Sequence, residues 1–158
     1  MKYISSSIVL EEIPDEISLA LEISNCPHHC KNCHSPELRE DIGIPLTEDE
    51  IEKLMMRYPD ASCVLFMGGD KDHSEIINLA YYIKDKYKVK IGMYSGDKEV
   101  DRSLIPYLDY YKVGPYIEER GPLNNRNTNQ RLYRINHRKI LNQMEDITDR
   151  FWYSALDE

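Results

Sequence analysis

Three of the four cysteines fall within eight residues, in the segment Asn25-Cys26-Pro27-His28-His29-Cys30-Lys31-Asn32-Cys33-His34-Ser35-Pro36-Glu37. This crowding constrains the fold more than any other feature of the chain. At 158 residues the sequence can bury a core without covalent staples. Its start, Met1-Lys2-Tyr3-Ile4-Ser5-Ser6-Ser7, has no apolar stretch of the kind a secretory leader carries. A disulfide framework is therefore not expected, and clustered thiols in a reducing compartment read as metal ligands or redox groups. The C-x3-C-x2-C spacing suits three corners of a cubane iron–sulfur cluster, whose usual ligands are thiolates. Cys63 lies inside the apolar run Ser62-Cys63-Val64-Leu65-Phe66-Met67 and reads as a buried, inert thiol. One iron would then be left without a protein ligand, as a catalytic metal site keeps a position free. Two other readings stay open on spacing alone. His28, His29 or His34 would complete a Cys3His zinc site, although zinc modules normally bring their ligands as two separated pairs. Cys30-Lys31-Asn32-Cys33 has the spacing of a redox dithiol, which leaves Cys26 unexplained.

Composition excludes several classes of function. The formal charge of −8 is unfavourable for a non-specific nucleic-acid binder, which needs a positive footprint. No apolar run approaches the roughly 18 residues of a membrane span. The expectation is one cytoplasmic domain over residues 1–158, with 115–158 as a loop and hairpin extension.

Strand-like and helix-like stretches alternate along the chain. Ile17 to Ile23 reads as a strand feeding the cysteine loop. Thr47 with Glu50 is a capping box, followed by a helical stripe of Ile51, Leu54, Met55 and Tyr58. Ser62 to Met67 reads as a strand covered on both faces. Asp72 with Glu75 makes a second capping box, leading a stripe of Ile76, Leu79, Ala80, Ile83 and Tyr87. Val89 to Tyr94 is the next strand, a short amphipathic piece spans Leu104 to Leu108, and Tyr110 to Val113 is a fourth strand. Gly121 to Gln130 reads as a surface loop. Arg131 to Asn136 with Lys139 to Leu141 reads as a terminal hairpin, and the region of Phe151 and Trp152 as a short docking helix. Tyr81, Tyr82, Tyr87, Tyr107, Tyr110 and Tyr111 fit core or half-buried positions. The alternation implies right-handed crossovers and an α/β fold with a mostly parallel sheet.

The cysteine loop, Gly68-Gly69-Asp70, Ser95-Gly96 and Gly114-Pro115 each follow a strand. In a parallel sheet the carboxyl ends of the strands share one edge, where ligands bind. Four loops are thus expected at one rim. Glycines there allow close backbone approach and the Asp70 carboxylate can pair with an ammonium, though Gly-Gly-Asp is also an ordinary turn sequence. Ser95 is a ligand-binding hydroxyl or a helix cap. Lys112 is a buried cation facing the rim or a lysine snorkelling to solvent.

Cys26-Pro27-His28-His29-Cys30-Lys31-Asn32-Cys33-His34 resembles the cluster loop of the radical S-adenosylmethionine (SAM) superfamily. Val64-Leu65-Phe66-Met67-Gly68-Gly69-Asp70, Tyr94-Ser95-Gly96, Lys112-Val113-Gly114-Pro115-Tyr116-Ile117-Glu118-Glu119 and Thr128-Asn129-Gln130-Arg131-Leu132-Tyr133 extend the likeness to activating proteins of the anaerobic (class III) ribonucleotide reductase. The resemblance implies a partial (βα) barrel of the radical SAM type. It implies a 4Fe–4S cluster on Cys26, Cys30 and Cys33, with SAM held by Gly68, Gly69, Asp70, Ser95 and Lys112, and Asn32 near the adenine. It also implies a flavodoxin- or ferredoxin-type electron donor, and the reductase large subunit as the protein partner. Tyr116 and Arg131 are expected as docking anchors, because aromatic and Arg side chains commonly dominate interface energetics. The sequence departs from the pattern in two places. Asn32 stands where an aromatic residue is common, and Glu12-Ile13-Pro14-Asp15-Glu16 stands where a glycine-rich stretch often precedes the cluster loop. An activase of another glycyl-radical enzyme, and a non-enzymatic zinc-binding module, are the alternatives.

Overall fold

The structure is a computed structural model that describes residues 1–30, 33, 35–138 and 143–152. In chain order its elements are β1 (Lys2–Val9), β2 (Ser18–Ile23), a 3₁₀ turn (Pro36–Arg39), β3 (Ile44–Pro45), α1 (Glu48–Arg57), β4 (Cys63–Met67) and α2 (His73–Lys86). There follow β5 (Lys90–Tyr94), a 3₁₀ turn (Arg102–Tyr107), β6 (Tyr110–Val113), β7 (Arg131–Asn136), β8 (Gln143–Asp146) and a last 3₁₀ turn (Thr148–Phe151). All eight strands lie in one sheet of order β3-β1-β2-β4-β5-β6-β7-β8.

The helices start where the caps place them. Glu50 N donates to Thr47 Oγ1 at 3.1 Å, and Ser74 N donates to Asp72 Oδ1 at 3.0 Å. Neither box closes reciprocally: Glu50 takes a hydrogen bond from Tyr3 Oη, and Glu75 pairs with the Met1 amino group. The α2 segment contains Ile76, Ile77, Asn78, Tyr81 and Tyr82, each a few tenths of a kcal/mol poorer than alanine in a helix. Burial of Ile76, Leu79 and Ile83 outweighs that, at roughly 1.5–3 kcal/mol for each large apolar side chain. Tyr81 departs from expectation, being 66% exposed on the outer face.

Strand alternation sorts the core into two sides. Leu19, Leu21 and Ile23 of β2, Val64 and Phe66 of β4, Ile91 and Met93 of β5, and Tyr111 and Val113 of β6 face the helices. Ala20, Cys63, Leu65 and Tyr110 face the other way, against Ile13, Leu123 and Ile147 from irregular segments. Helices therefore cover one face of the sheet and loops cover the other.

This is a mixed open sheet, and it overturns the expectation of a mostly parallel partial (βα) barrel. Only the centre is parallel, β2 to β4 to β5 to β6. On one side β1 runs antiparallel to β2, with β3 antiparallel to β1. On the other side β7 runs antiparallel to β6 and β8 antiparallel to β7. Alternation of strands and helices holds only for the middle of the chain. Serine-rich β1 carries no strand-like apolar pattern, yet it pairs along its length, with Ser5 Oγ bonded to Glu22 at 2.8 Å. Between β5 and β6 the crossover contains a 3₁₀ turn with Pro106 inside it, where a proline lacks the donor a longer helix needs. The terminal hairpin forms from β7 and β8; Lys139 to Leu141, expected as its second strand, lie outside the described residues. Trp152 closes the C-terminal turn onto the loop face, its Nε1 donating to Leu123 O at 3.0 Å. No helix among the described residues is long and apolar enough to cross a membrane.

Gly69 links this packing to the rim. Its φ is +110°, and a Cβ there would lie 2.6 Å from Ile76 Cδ1. Gly69→Ala should therefore lower stability by more than ~1 kcal/mol, read as a reduced denaturant midpoint. A midpoint equal to that of the parent would show that this turn accepts a side chain.

Candidate metal centre

The three parallel crossovers and the end of β6 deliver their loops to one edge, as the strand order implies. Asn25, at φ +60°, turns the chain out of β2 into the cysteine loop. The loop is closed at its neck by Asn25 N to Glu40 O at 2.9 Å and Cys26 N to Leu38 O at 2.7 Å. Cys26, Cys30 and Cys33 are unpaired and half-buried. Cys33 N donates to Cys30 O at 3.2 Å, and Ser35 N points at Cys33 Sγ at 3.4 Å. Asn32 and His34 lie outside the described residues.

This donor set fits an iron–sulfur cluster. Burial pushes the Cys26 thiol above its ordinary range, and Asp70, Cys30 and Cys33 push in the same direction. Thiols that raise one another's pKa are held as thiolates when a cationic metal core replaces their protons. A backbone N–H aimed at a cysteine sulfur, as at Cys33, is the usual support for such a ligand. Cys63 is fully buried, its thiol pushed up to about 12 by burial, and it sits on the loop-covered side of β4. The expectation of an inert Cys63 is met.

Asp70 is the centre of the rim. Its side chain is 3% exposed and its carboxylate accepts four hydrogen bonds. They come from Ser95 Oγ at 2.7 Å, Gly96 N at 2.8 Å, His28 Nε2 at 2.8 Å and His73 Nε2 at 2.9 Å. Burial favours protonation of Asp70, but these donors win and hold its carboxyl below the usual range. The contact with His28 ties the cysteine loop directly to the ends of β4 and β5. Gly96 makes that approach possible, since a Cβ there would fall 2.8 Å from His28 Cδ2. Asp97 lies 3.2 Å from His28 Nε2, and burial with the neighbouring Asp70 charge raises its carboxyl. His28, Asp70 and Asp97 bring ligand atoms within 4.8 Å of one another.

His73 has a carboxylate at each ring nitrogen, Asp101 at 2.7 Å on Nδ1 and Asp70 at 2.9 Å on Nε2. A carboxylate at each nitrogen favours the doubly protonated ring, in which both nitrogens donate. Burial opposes that charge, and the two hydrogen bonds override it and raise the pKa.

Lys112 does not snorkel. It is buried at the end of β6, donates to Ser95 O at 2.9 Å and Gly114 O at 3.3 Å, and lies 5.5 Å from the Tyr94 ring centre. Burial brings its pKa down to about 8, against the pull of Asp70, Cys30 and Cys26. Thus Gly68, Gly69, Asp70, Ser95 and Lys112 share one rim with the three cysteines. The segment 128–130 folds back on Gly114-Pro115, through Asn129 Nδ2 to Pro115 O at 3.0 Å and Gln130 Nε2 to Gly114 O at 3.4 Å. Arg131 instead faces Asp146 at 3.7 Å and the Trp152 ring. A cleft of about 290 Å³ lies beside the loop neck, lined by Ser24, Asn25, Gly69, Lys71 and Glu75. Asp70 and Ser95 are not part of its wall, and the rim chemistry lies elsewhere. Sequence reading did not connect His73, Asp97 or Asp101 with Asp70. The one available signal was the i, i+3 spacing of Asp70 and His73 at the start of a helix.

The raised pKa of His73 makes the rim pH-sensitive. Its contribution to stability is complete below about pH 6.5, the ordinary histidine range, and is lost as pH climbs through the raised value. Asp70, with a lowered pKa, contributes above the ordinary carboxyl range and loses its contribution only in acid. The thermal stability of the parent should therefore fall as pH rises above the ordinary histidine range, and His73→Asn should flatten that slope. Equal slopes for parent and variant would place the titration elsewhere.

A family model described as a 4Fe-4S single cluster domain matches residues 17–136, from the start of β2 to the end of β7. No curated protein and no solved structure gives a significant match. The matched region contains the cysteine loop and every rim residue named above, and with it the chain carries a 4Fe–4S cluster-binding domain. The protein belongs to the 4Fe-4S single cluster domain family.

Proposed function

We propose that this protein is a radical SAM enzyme that cleaves SAM reductively and generates a glycyl radical on the large subunit of an anaerobic ribonucleotide reductase. The observation that carries the reading is the convergence of three free cysteines with Asp70, Ser95 and Lys112 on one rim, with Cys63 buried away from it. A 4Fe–4S cluster bound by three thiolates supplies one electron and an iron open to an outside ligand.

The chain's own residues have defined tasks in this reading. Asp70 is a preorganised anion suited to the SAM ammonium. Three of its donors, Ser95, Gly96 and His73, belong to the sheet rim, whereas His28 rides on the cysteine loop. His28 is therefore the donor an incoming ammonium would replace. Lys112 and the Ser95 hydroxyl supply the positive and donor groups for the SAM carboxylate. The electron comes from a flavodoxin- or ferredoxin-type donor. One electron added to SAM gives methionine and a 5′-deoxyadenosyl radical. Transfer of a glycine Cα hydrogen to that radical gives 5′-deoxyadenosine and the partner's glycyl radical. Such a radical must be shielded from solvent at the rim, and the partner is the proposed source of that cover. The segment 114–120, with 128–130 folded beside it, is the docking edge for that partner.

Protein reconstituted without oxygen and reduced with dithionite should release 5′-deoxyadenosine from SAM. Asp70→Asn should keep its iron and sulfide but bind SAM more weakly by roughly 1.5–3 kcal/mol, the scale of a charged hydrogen bond. A fully loaded parent that leaves SAM intact would contradict the proposal. SAM cleavage with an electron paramagnetic resonance signal on a different glycyl-radical enzyme, and none on the reductase, would reassign the partner.

A further inference from the structure

The 3₁₀ turn Pro36–Arg39 lies directly behind the cysteine loop, and Arg39 stands between the two backbone hydrogen bonds that close the neck, at Leu38 and Glu40. Its guanidinium turns back under the loop, and Nη2 donates to Cys30 O at 2.9 Å. The Nε–H of the same group is shut off from solvent and has no acceptor among the described residues. The nearby Asp41 pairs with Lys2 instead, at 3.5 Å.

A buried N–H without an acceptor is costly, and native structures rarely leave one so. A guanidinium is a rigid plane only a few ångströms across, charged at any working pH. One nitrogen of that plane is fixed on the Cys30 carbonyl, so the orphaned N–H belongs to a group held against the cysteine loop. Three thiolates on an iron–sulfur core make an anionic group, and reduction adds a further negative charge. Sulfur atoms of such a group are acceptors for an N–H that has none among the described residues. Hydrogen bonds to sulfur and nearby positive charge both raise a cluster's potential.

We infer that Arg39 is the cluster's electrostatic partner: its buried Nε–H donates to a sulfur of the bound cluster, and its charge favours the reduced state. This assignment rests on the cluster and its three cysteines, not on SAM chemistry. Arg39 is a positioning and tuning residue, and it takes no part in bond breaking. Lys112 is a second cation at the rim, fixed to the Ser95 and Gly114 carbonyls, and it remains in every variant considered.

The test is a redox titration of the anaerobically reconstituted protein, followed by visible absorption, with iron and sulfide assayed on the same samples. Arg39→Gln should keep the full cluster and titrate at a lower potential. The expected change is about tenfold in the ratio of reduced to oxidised cluster at fixed potential, about 59 mV for one electron. A fully loaded Arg39→Gln protein with the parent's potential overturns the inference and leaves Arg39 as a brace for the Cys30 carbonyl. Should the glutamine variant fail to hold a cluster, Arg39→Lys decides, because lysine keeps the charge but cannot present the Nε–H. Its potential should also fall, by less; a loaded Arg39→Lys protein at the parent's potential overturns the inference.

Discussion

A carboxylate taken out of water is tolerated only when hydrogen bonds replace its hydration, and Asp70 is nearly sealed from solvent. Its four donors come from the cysteine loop, the start of α2 and the loop after β5. Removing any one of those segments leaves a buried charge short of partners, so the segments hold one another in place. The parallel centre of the sheet makes this possible by ending β2, β4, β5 and β6 on the same edge. His73 continues the network to Asp101, and Lys112 joins the ends of β5 and β6 through Ser95 and Gly114. The three clustered cysteines thus stand on a loop fastened to the rim by charge-assisted hydrogen bonds, a firmer support than loop contacts alone would give.

The opposite edge of the parallel strands has its own buried acid. Glu16 accepts from Ser62 Oγ at 2.6 Å, Lys90 Nζ at 2.8 Å and Tyr110 Oη at 3.1 Å, which ties the start of β2 to β4, β5 and β6. One carboxylate at each end therefore stitches the same strands. The loop-covered face between them is closed by Ile13, Leu123 and Ile147 in place of a second helix layer. This explains how a chain of modest length supports a central parallel sheet, which normally needs cover on both faces.

Where the sequence pattern had a single physical cause, it was readable. The apolar run of β4, the helical stripes after Thr47 and Asp72, and the turn residues after each strand led to the correct central elements and to a shared rim. Cys63 was readable as inert because an apolar strand interior leaves a thiol nowhere to go. The mixed architecture was not readable. β1 is recruited by pairing with β2 despite its serines, β3 is only two residues, and Pro106 keeps the last crossover from forming an α-helix. The Asp70 network was half readable: Gly-Gly-Asp and Ser-Gly marked the loops, but His28, His73 and Asp97 meet there only through tertiary folding. Arg39 was hidden for the same reason, since its interest lies in a buried N–H with no acceptor among the described residues.

The proposed chemistry requires a cluster held by three cysteines with one iron free, beside the preorganised Asp70 carboxylate. Mössbauer spectroscopy of protein reconstituted with iron-57 tests this most directly, with spectra taken before and after addition of SAM. The account predicts about four irons per chain, on Cys26, Cys30 and Cys33, with one iron distinct from the others and changed by SAM. Protein that binds a single zinc in place of iron, or a four-iron spectrum that SAM leaves unaltered, would contradict it.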